Sequence, residues 1–258
     1  MLEHFDLAAL GHNTPEYLRV VCEAMKRATV DKDRYLGDPA FLAVPLDRLL
    51  SKDYARALAL EIKSGIKASV PRFNPGSVSP HTTQVSCSDA EGNCVTMTHS
   101  LGMPSGVVTP SLGFMYNGCM GVFDPRPGRP GSIAPGKARF SSVCPSIVFR
   151  GGEPHLVIGA PGGTQIAMGV LQVTLNVLDF GASMLEAVSW PRFSATSDAI
   201  DVSNRIPRAT ERALQAQGYE VIRSPLSYDF AWVHALKIEG DRVTGGADPG
   251  TDGMALAV

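Results

Sequence analysis

Between residues 69 and 81 the chain changes character, and that break limits what the rest can be. Ser69, Pro71, Asn74, Pro75, Gly76, Ser77, Ser79 and Pro80 crowd one short stretch. Proline and glycine at this density join neither helix nor strand, and leave an extended connector that is hard to bury and easy to cut. Ahead of it the apolar period is helical, and behind it the texture is that of strands. The stretch is read as a linker dividing residues 1–81 from 82–258. A second reading takes it as the tail of a pro-segment; the pattern alone favours the linker.

Ahead of the break, residues 14–30 read as a helix. Thr14 can cap it, Pro15 suits the first helical position, and Leu18, Val21 and Met25 form a stripe. A second helix is expected from Ser51, its cap, to Ile62, with Gly65 beyond its end. Both read as packing units without chemistry.

Behind the break, 82–88 and 94–100 alternate around the turn Asp89-Ala90-Glu91-Gly92-Asn93, so they read as a hairpin. A short strand is expected at 114–116. Residues 124–131, dense in Pro and Gly, read as a surface loop near a binding cleft. A second hairpin, 143–149 with 155–158, runs into Gly159-Ala160-Pro161-Gly162-Gly163-Thr164 and then an apolar helix over 165–178. Helices at 184–189 and 207–217 follow, with strands at 219–223, 230–238 and near Val243. Strands, helices, strands in that order give a layered α+β pattern rather than a βαβ repeat.

The chemistry concentrates in two places. Thr82-Thr83 opens a strand where the linker ends, which suits two β-formers entering a sheet or a hydroxyl nucleophile. Gly162-Gly163 leads into a helix, whose first N–H groups are unpaired and partly positive. The pair suits an oxyanion hole, a phosphate cradle or a tight turn that needs glycine. It is not a Walker A loop, because no Gly-Lys-Ser/Thr follows.

Composition removes other classes. Lys and Arg number 23 against 25 Asp and Glu, a net charge of −2, so no basic face serves nucleic acid or an anionic membrane. No run of eighteen apolar residues spans a bilayer, and no signal peptide is visible, which favours the cytoplasm unless a lost N-terminus carried one. Five cysteines lack CxxC spacing. Cys87 and Cys94 flank a turn and could face each other, but reduced packing cysteines are the better reading. Six scattered histidines predict no metal, and no cofactor is expected.

Taken in order, the residues become a family. Thr82-Thr83-Gln84-Val85-Ser86 and Asp89-Ala90-Glu91-Gly92-Asn93 resemble the start of the small subunit of γ-glutamyltranspeptidases. The resemblance continues through Pro135-Gly136-Lys137, Ser141-Ser142, Cys144-Pro145-Ser146, Ala160-Pro161-Gly162-Gly163 and Asn176-Val177-Leu178-Asp179-Phe180-Gly181. It then takes in Pro191-Arg192-Phe193 and Gly246-Ala247-Asp248-Pro249. Upstream, Arg34-Tyr35-Leu36-Gly37-Asp38-Pro39 resembles the close of the large subunit.

The resemblance implies an N-terminal-nucleophile hydrolase, an αββα sandwich incomplete in this chain, made as a proenzyme that cuts itself between His81 and Thr82. By position Thr82 matches the nucleophile and Gly162 and Gly163 the oxyanion-hole pair. Ser141 and Ser142 match the serines that hold a γ-glutamyl α-carboxylate. Ser100 stands where the family has a threonine that supports the nucleophile.

This chain departs from the family at the acceptors for the substrate α-amino group. Cys119 and Val122 stand where the family has glutamine and aspartate, Gly102 where it has asparagine, and Gln84 where it has histidine. Asp124, in the next turn, is a candidate replacement. The family's large subunit is also far longer than 81 residues and supplies sheet strands and a carboxylate-binding arginine.

The expected function is therefore an amide-bond hydrolase or acyltransferase acting through an acyl-threonine on a γ-glutamyl or related small amide. The alternatives are an acylase relative with a non-glutamyl substrate, or a silent fragment that needs a complementary large-subunit segment or a second copy. A phosphate-binding module using Gly162-Gly163 is the remaining reading.

Overall fold

The computed structural model describes residues 1–71 and 82–257. Residues 72–81 of the linker, His81 included, lie outside the described residues. The N-terminal part is helical: α1 (Leu7–Leu10), α2 (Pro15–Tyr35), α3 (Leu46–Leu49) and α4 (Lys52–Lys63). The caps are those expected from sequence. Tyr17 N donates to Thr14 Oγ1 at 3.2 Å, and Tyr54 N to Ser51 Oγ at 3.3 Å. Helix α2 runs past 30 to Tyr35, because Asp31-Lys32-Asp33-Arg34 carries no residue that forbids helix.

Helix α2 is buried on more than the single stripe that its apolar spacing marks. Tyr17, Leu18, Val21 and Met25 join Phe193, Ile200, Val202 and Leu214 in one core, so residues 1–71 and 175–221 share an interior. Polar ties reinforce it. The buried Glu23 carboxylate accepts from Arg27, from Ala68 N at 2.8 Å and from Tyr219 Oη at 3.0 Å. Asp198 Oδ1 accepts from Val70 N at 2.6 Å, which fixes the first residues of the linker.

The strands follow. β1 (Thr82–Ser88) and β2 (Cys94–Ser100) pair without a slip from Thr82↔Ser100 to Ser88↔Cys94. β3 (Pro104–Val108) and β4 (Met115–Asn117) make a second, bulged ribbon. β5 (Ser146–Arg150), β6 (Glu153–Gly159), β10 (His234–Glu239) and β11 (Arg242–Ala247) form one antiparallel sheet in the order β11-β10-β6-β5. Between them lie α5 (Ile166–Leu178), α6 (Met184–Ser189), β7 (Phe193–Ser194), β8 (Ile200–Val202), α7 (Arg208–Ala216) and β9 (Val221–Arg223).

Leu156 and Ile158 of β6 face α5 and α6, packing with Ile166, Val173 and Met184. The opposite face of β6 carries the β1–β2 hairpin: Thr96 Oγ1 donates to Ile158 O at 3.2 Å, and the Gln84 amide occupies the space that a side chain at Gly159 would need. Helices, sheet and hairpin are thus three successive layers of an α+β sandwich. The inner face of the hairpin is polar, with Gln84, Ser86, Thr96 and Thr98 hydrogen-bonded to one another. Its apolar side chains point outward, Val85 47%, Val95 55% and Met97 53% exposed.

Some expected strand boundaries need correction, while the cysteines are reduced as expected. The strand expected over 230–238 begins only at His234, since Phe230 and Ala231 hold φ of +69° and +61°, which no strand accommodates. The strand expected from Val143 begins at Ser146, and the one expected at 114–116 runs Met115–Asn117. Cys87 and Cys94 do not face each other: they pair with Val95 and Ser88, on opposite faces of the hairpin, and both are free thiols. Among the described residues no helix is long and apolar enough to cross a membrane.

The fold stores a pH dependence. Burial, then Asp229 and Glu220, push the Asp201 carboxyl on β8 up to about 6. A carboxyl raised in the fold favours folding while protonated, so its contribution is lost as pH climbs from about 4 to about 6. Asp201→Asn is expected to be more stable than the parent above pH 7 by about 1 kcal/mol, the figure allowing for solvent screening. The gain should vanish near pH 4. Denaturant melts at the two pH values check this, and equal differences at both would refute it.

Candidate active site

Thr82 is the first residue of β1 and half-buried. The unbroken register sets it opposite Ser100, the last residue of β2, and their hydroxyl oxygens lie 2.8 Å apart. Ser100 Oγ also accepts from Gly102 N at 2.8 Å. With that lone pair engaged, the serine is oriented to exchange a proton with Thr82 Oγ. Gly102 takes φ +68°, a left-handed turn that lets its N–H curl back onto Ser100.

Across that turn stands Cys119, whose thiol donates to Leu101 O at 3.5 Å. A Cβ at Gly102 would come within 2.8 Å of Cys119 Sγ. The thiol therefore fills the space of a side chain at 102, and the two departures from the family form one steric pair. Val122 closes the same short turn, Cys119–Val122, and is 39% exposed. Asp124 is not free to replace the missing acceptor. Its carboxylate accepts from Arg126 N at 2.9 Å, Nε at 2.9 Å and Nη2 at 2.7 Å, and that guanidinium holds it at about 2.

The stacking carries Thr82 toward the glycine loop. Ser86 and Thr96 lie over Ile158, and Gln84 over Gly159, so each step back along β1 moves toward the end of β6. Thr82, two residues before Gln84, lies further toward the end of β6 from which the loop 160–164 leaves. That loop turns at Gly162, with φ +144°, and a 3₁₀ turn, Gly163–Gln165, starts the helix that continues as α5. Trp232 N donates to Pro161 O at 2.9 Å and pins the loop from behind.

Gly162 is buried and Gly163 half-buried, yet neither N–H finds an acceptor among the described residues. Unpaired buried N–H groups cost free energy and rarely persist without use. Two of them at a helix N-terminus are well suited to a developing oxyanion. A Cβ on Gly162 would strike Ala231 Cα at 2.5 Å, so only glycine fits there.

Ser141 and Ser142 lie in the extended lead into β5. Ser146 pairs with Ile158, so the residues before it pass off the same end of the sheet as the glycine loop. Thr82 and Ser100 are in hydrogen-bond contact, and the glycine pair and the serine pair share their end of the sandwich. Ala231, which backs the glycine loop, escaped the sequence reading: a non-glycine residue at positive φ leaves no mark in sequence. Among the described residues no group of three His, Cys, Asp or Glu is gathered to hold a metal.

Comparison with known proteins is consistent across sequence and structure. The family model described as Gamma-glutamyltranspeptidase matches residues 1–258. An acylase ACY 1 proenzyme of a Pseudomonas species is 36% identical over 264 residues, covering 100% of this chain and 46% of that protein. A glutathione hydrolase proenzyme of Escherichia coli is 33% identical over 239 residues, covering 86% and 41%. The chain thus spans about half the length of the curated relatives it matches.

Among solved structures, the γ-glutamyltranspeptidase of Pseudomonas nitroreducens complexed with L-DON aligns with a TM-score of 0.62 at 30% identity. It covers 68% of this chain and 99% of that one. A cephalosporin acylase of Bacillus halodurans aligns with a TM-score of 0.78 at 25% identity, covering 96% and 48%.

The Thr82–Ser100 contact has a measurable weight. Ser100→Ala leaves the Gly102 N–H and the Thr82 hydroxyl without their shared partner and should cost about 1–2 kcal/mol of stability. Ser100→Thr keeps the oxygen and should recover most of it. Denaturant melts of the three proteins test this, and an Ala variant as stable as the parent would rule the contact out.

Proposed function

The chain belongs to the γ-glutamyltranspeptidase family, whose members are N-terminal-nucleophile hydrolases and transferases, and we propose that Thr82 is its nucleophile, freed by self-cleavage after His81. The observation that carries the reading is the 2.8 Å contact of Thr82 Oγ with Ser100 Oγ at the end of the sandwich where the Gly162-Gly163 loop stands. The relatives' names, all proenzymes, support it. So does the size of the Pseudomonas nitroreducens chain, which aligns almost whole with a share of this chain close to that made up by residues 82–258.

In the cleavage, Thr82 Oγ attacks the His81 carbonyl carbon, and the peptide C–N bond breaks as the Thr82 nitrogen takes up a proton. Water opens the resulting ester, giving a His81 carboxylate and restoring the hydroxyl. The freed α-amine has an ordinary pKa of roughly 7.7–8.0, so a useful fraction is neutral near pH 7 and can take the hydroxyl proton in each turnover. Thr82 Oγ then attacks a substrate amide, and the proton passes from the α-amine to the leaving amine. Water or a second amine resolves the acyl-Thr82 ester. The glycine N–H groups stabilise the tetrahedral oxyanion in each step, a donor typically being worth about 2.7–4 kcal/mol of barrier.

The reading includes a complementary segment, since this chain covers 46% of each acylase relative. The exposed Val85, Val95 and Met97 face of the hairpin offers such a segment an apolar surface.

A second reading concerns the acyl donor. Cys119 fills the place beside Gly102, and Asp124 is taken by Arg126, so an α-ammonium would find no carboxylate there. Ser141 and Ser142 remain for a carboxylate. A γ-glutamyl group without its ammonium is a glutaryl group, and the acylase names among the relatives fit a donor other than γ-glutamyl.

The test is the intact mass of the protein after incubation at neutral pH, beside Thr82→Ala. Two fragments breaking between His81 and Thr82, absent from the variant, are expected; a single mass in both would refute self-cleavage by this polypeptide. On cut protein, a glutaryl anilide should exceed the γ-glutamyl anilide in kcat/KM by about ten-fold or more, equal to about 1.4 kcal/mol. The reverse order would restore the γ-glutamyl donor.

A further inference from the structure

The segment that backs the glycine loop is conformationally costly. Phe230 and Ala231, both buried, hold consecutive positive φ angles of +69° and +61°. Side-chain-bearing residues rarely adopt that region, and two in succession persist only where their surroundings impose it. What they achieve is closeness. A Cβ on Gly162 would meet Ala231 Cα at 2.5 Å and one on Gly169 of α5 would meet Ala231 Cβ at 2.9 Å, so Ala231 is wedged between the glycine loop and its helix.

One buried cation is bonded to this turn. Arg192 is 2% exposed and divides its donors three ways: Nε to Phe230 O at 3.2 Å, Nη1 to Val188 O at 2.7 Å, and Nη2 to the Asp248 carboxylate. Asp248 is fully buried. Its other oxygen accepts from Gly250 N at 2.8 Å, and its carbonyl from Thr251 N at 3.2 Å. A guanidinium reaches three acceptors in fixed directions, which an ammonium does not. A buried ion pair contributes little net stability compared with apolar packing, so its use lies in the geometry that it fixes.

We propose that Arg192, anchored on Asp248, is a positioning residue for the oxyanion loop: it holds Phe230 and Ala231 in their left-handed turn, and Ala231 in turn holds Gly162 and Gly163 where their N–H groups serve Thr82. The proposal rests on the reading of those glycines as the oxyanion hole. Arg192 touches no reacting atom. Its effect travels through the Phe230 carbonyl, the wedge and the loop.

Hydrogen exchange read by mass spectrometry on the full chain tests the coupling. In Arg192→Lys, amides of residues 159–166 should exchange at least ten-fold faster than in the parent, while those of α2 stay within two-fold. Ala231→Gly, which relieves the φ strain and removes the wedge but keeps the ion pair, provides a second variant that folds and should loosen the same loop. Leu18→Ala, matched in melting temperature, reports what general destabilisation does. Unchanged exchange at 159–166 in both variants, or a rise no larger than in Leu18→Ala, overturns the coupling whether or not the chain cuts itself.

The rate of cleavage before Thr82, measured on the same samples, separates the two readings. A loosened loop with cleavage at least ten-fold slower bears out the proposal. A loosened loop with an unchanged rate keeps the coupling but rejects the glycines as the oxyanion hole, and with it the catalytic half of the proposal.

Discussion

A threonine hydroxyl at the start of a strand is useful only if its neighbours hold it, and those neighbours must be polar and themselves satisfied. That constraint shapes the β1–β2 hairpin. Its inner face carries Thr82, Gln84, Ser86, Thr96, Thr98 and Ser100, which meet one another at 2.5–3.2 Å through paired hydroxyls and the Gln84 amide. A buried polar group costs little once its partners are in place and much if one is lost. The inner face of the hairpin is therefore tied by directional bonds, and one more, from Thr96 Oγ1 to Ile158 O, reaches the sheet. The same choice puts Val85, Val95 and Met97 on the outer face.

Close approach is the second requirement, and glycine meets it at each junction. Gly159 lets the Gln84 amide lie on β6, Gly162 lets the loop touch Ala231, and Gly169 lets α5 do the same. These positions do not act as flexible hinges. Each leaves out a side chain so that a neighbour can come close: the Gln84 amide at Gly159, the Ala231 backbone at Gly162 and the Ala231 methyl at Gly169. The N–H groups of Gly162 and Gly163 find no acceptor among the described residues.

Local signals were legible in the sequence and long-range ones were not. Thr14, Pro15 and Ser51 mark helix starts through chemistry within three residues, and alternation around Asp89–Asn93 gives a hairpin whose register the structure keeps residue for residue. The candidate residues could be named because a strand start, a serine pair and a glycine pair follow one another in the order of the resemblance. The Phe230-Ala231 turn is apolar like a strand, and its positive φ and its bond to Arg192, 38 residues away, leave no local signal. Nor could composition show that Cys119 fills the place of a side chain at Gly102, a contact made only once the chain has turned between β3 and β4.

The position of the proposed cut makes physical sense in this arrangement. Opening the chain between His81 and Thr82 removes one covalent link but leaves the core of α2 with Phe193, Ile200, Val202 and Leu214 intact. The chain entering the linker is held separately, by Glu23 at Ala68 and by Asp198 at Val70. Those bonds end where the Pro- and Gly-rich stretch begins, so both sides of the break are anchored independently of it. A chain built to be cut needs its interior formed across the cut, with the severed segment contributing little to it. Here the apolar residues of α2 supply that interior, packed against Phe193, Ile200, Val202 and Leu214.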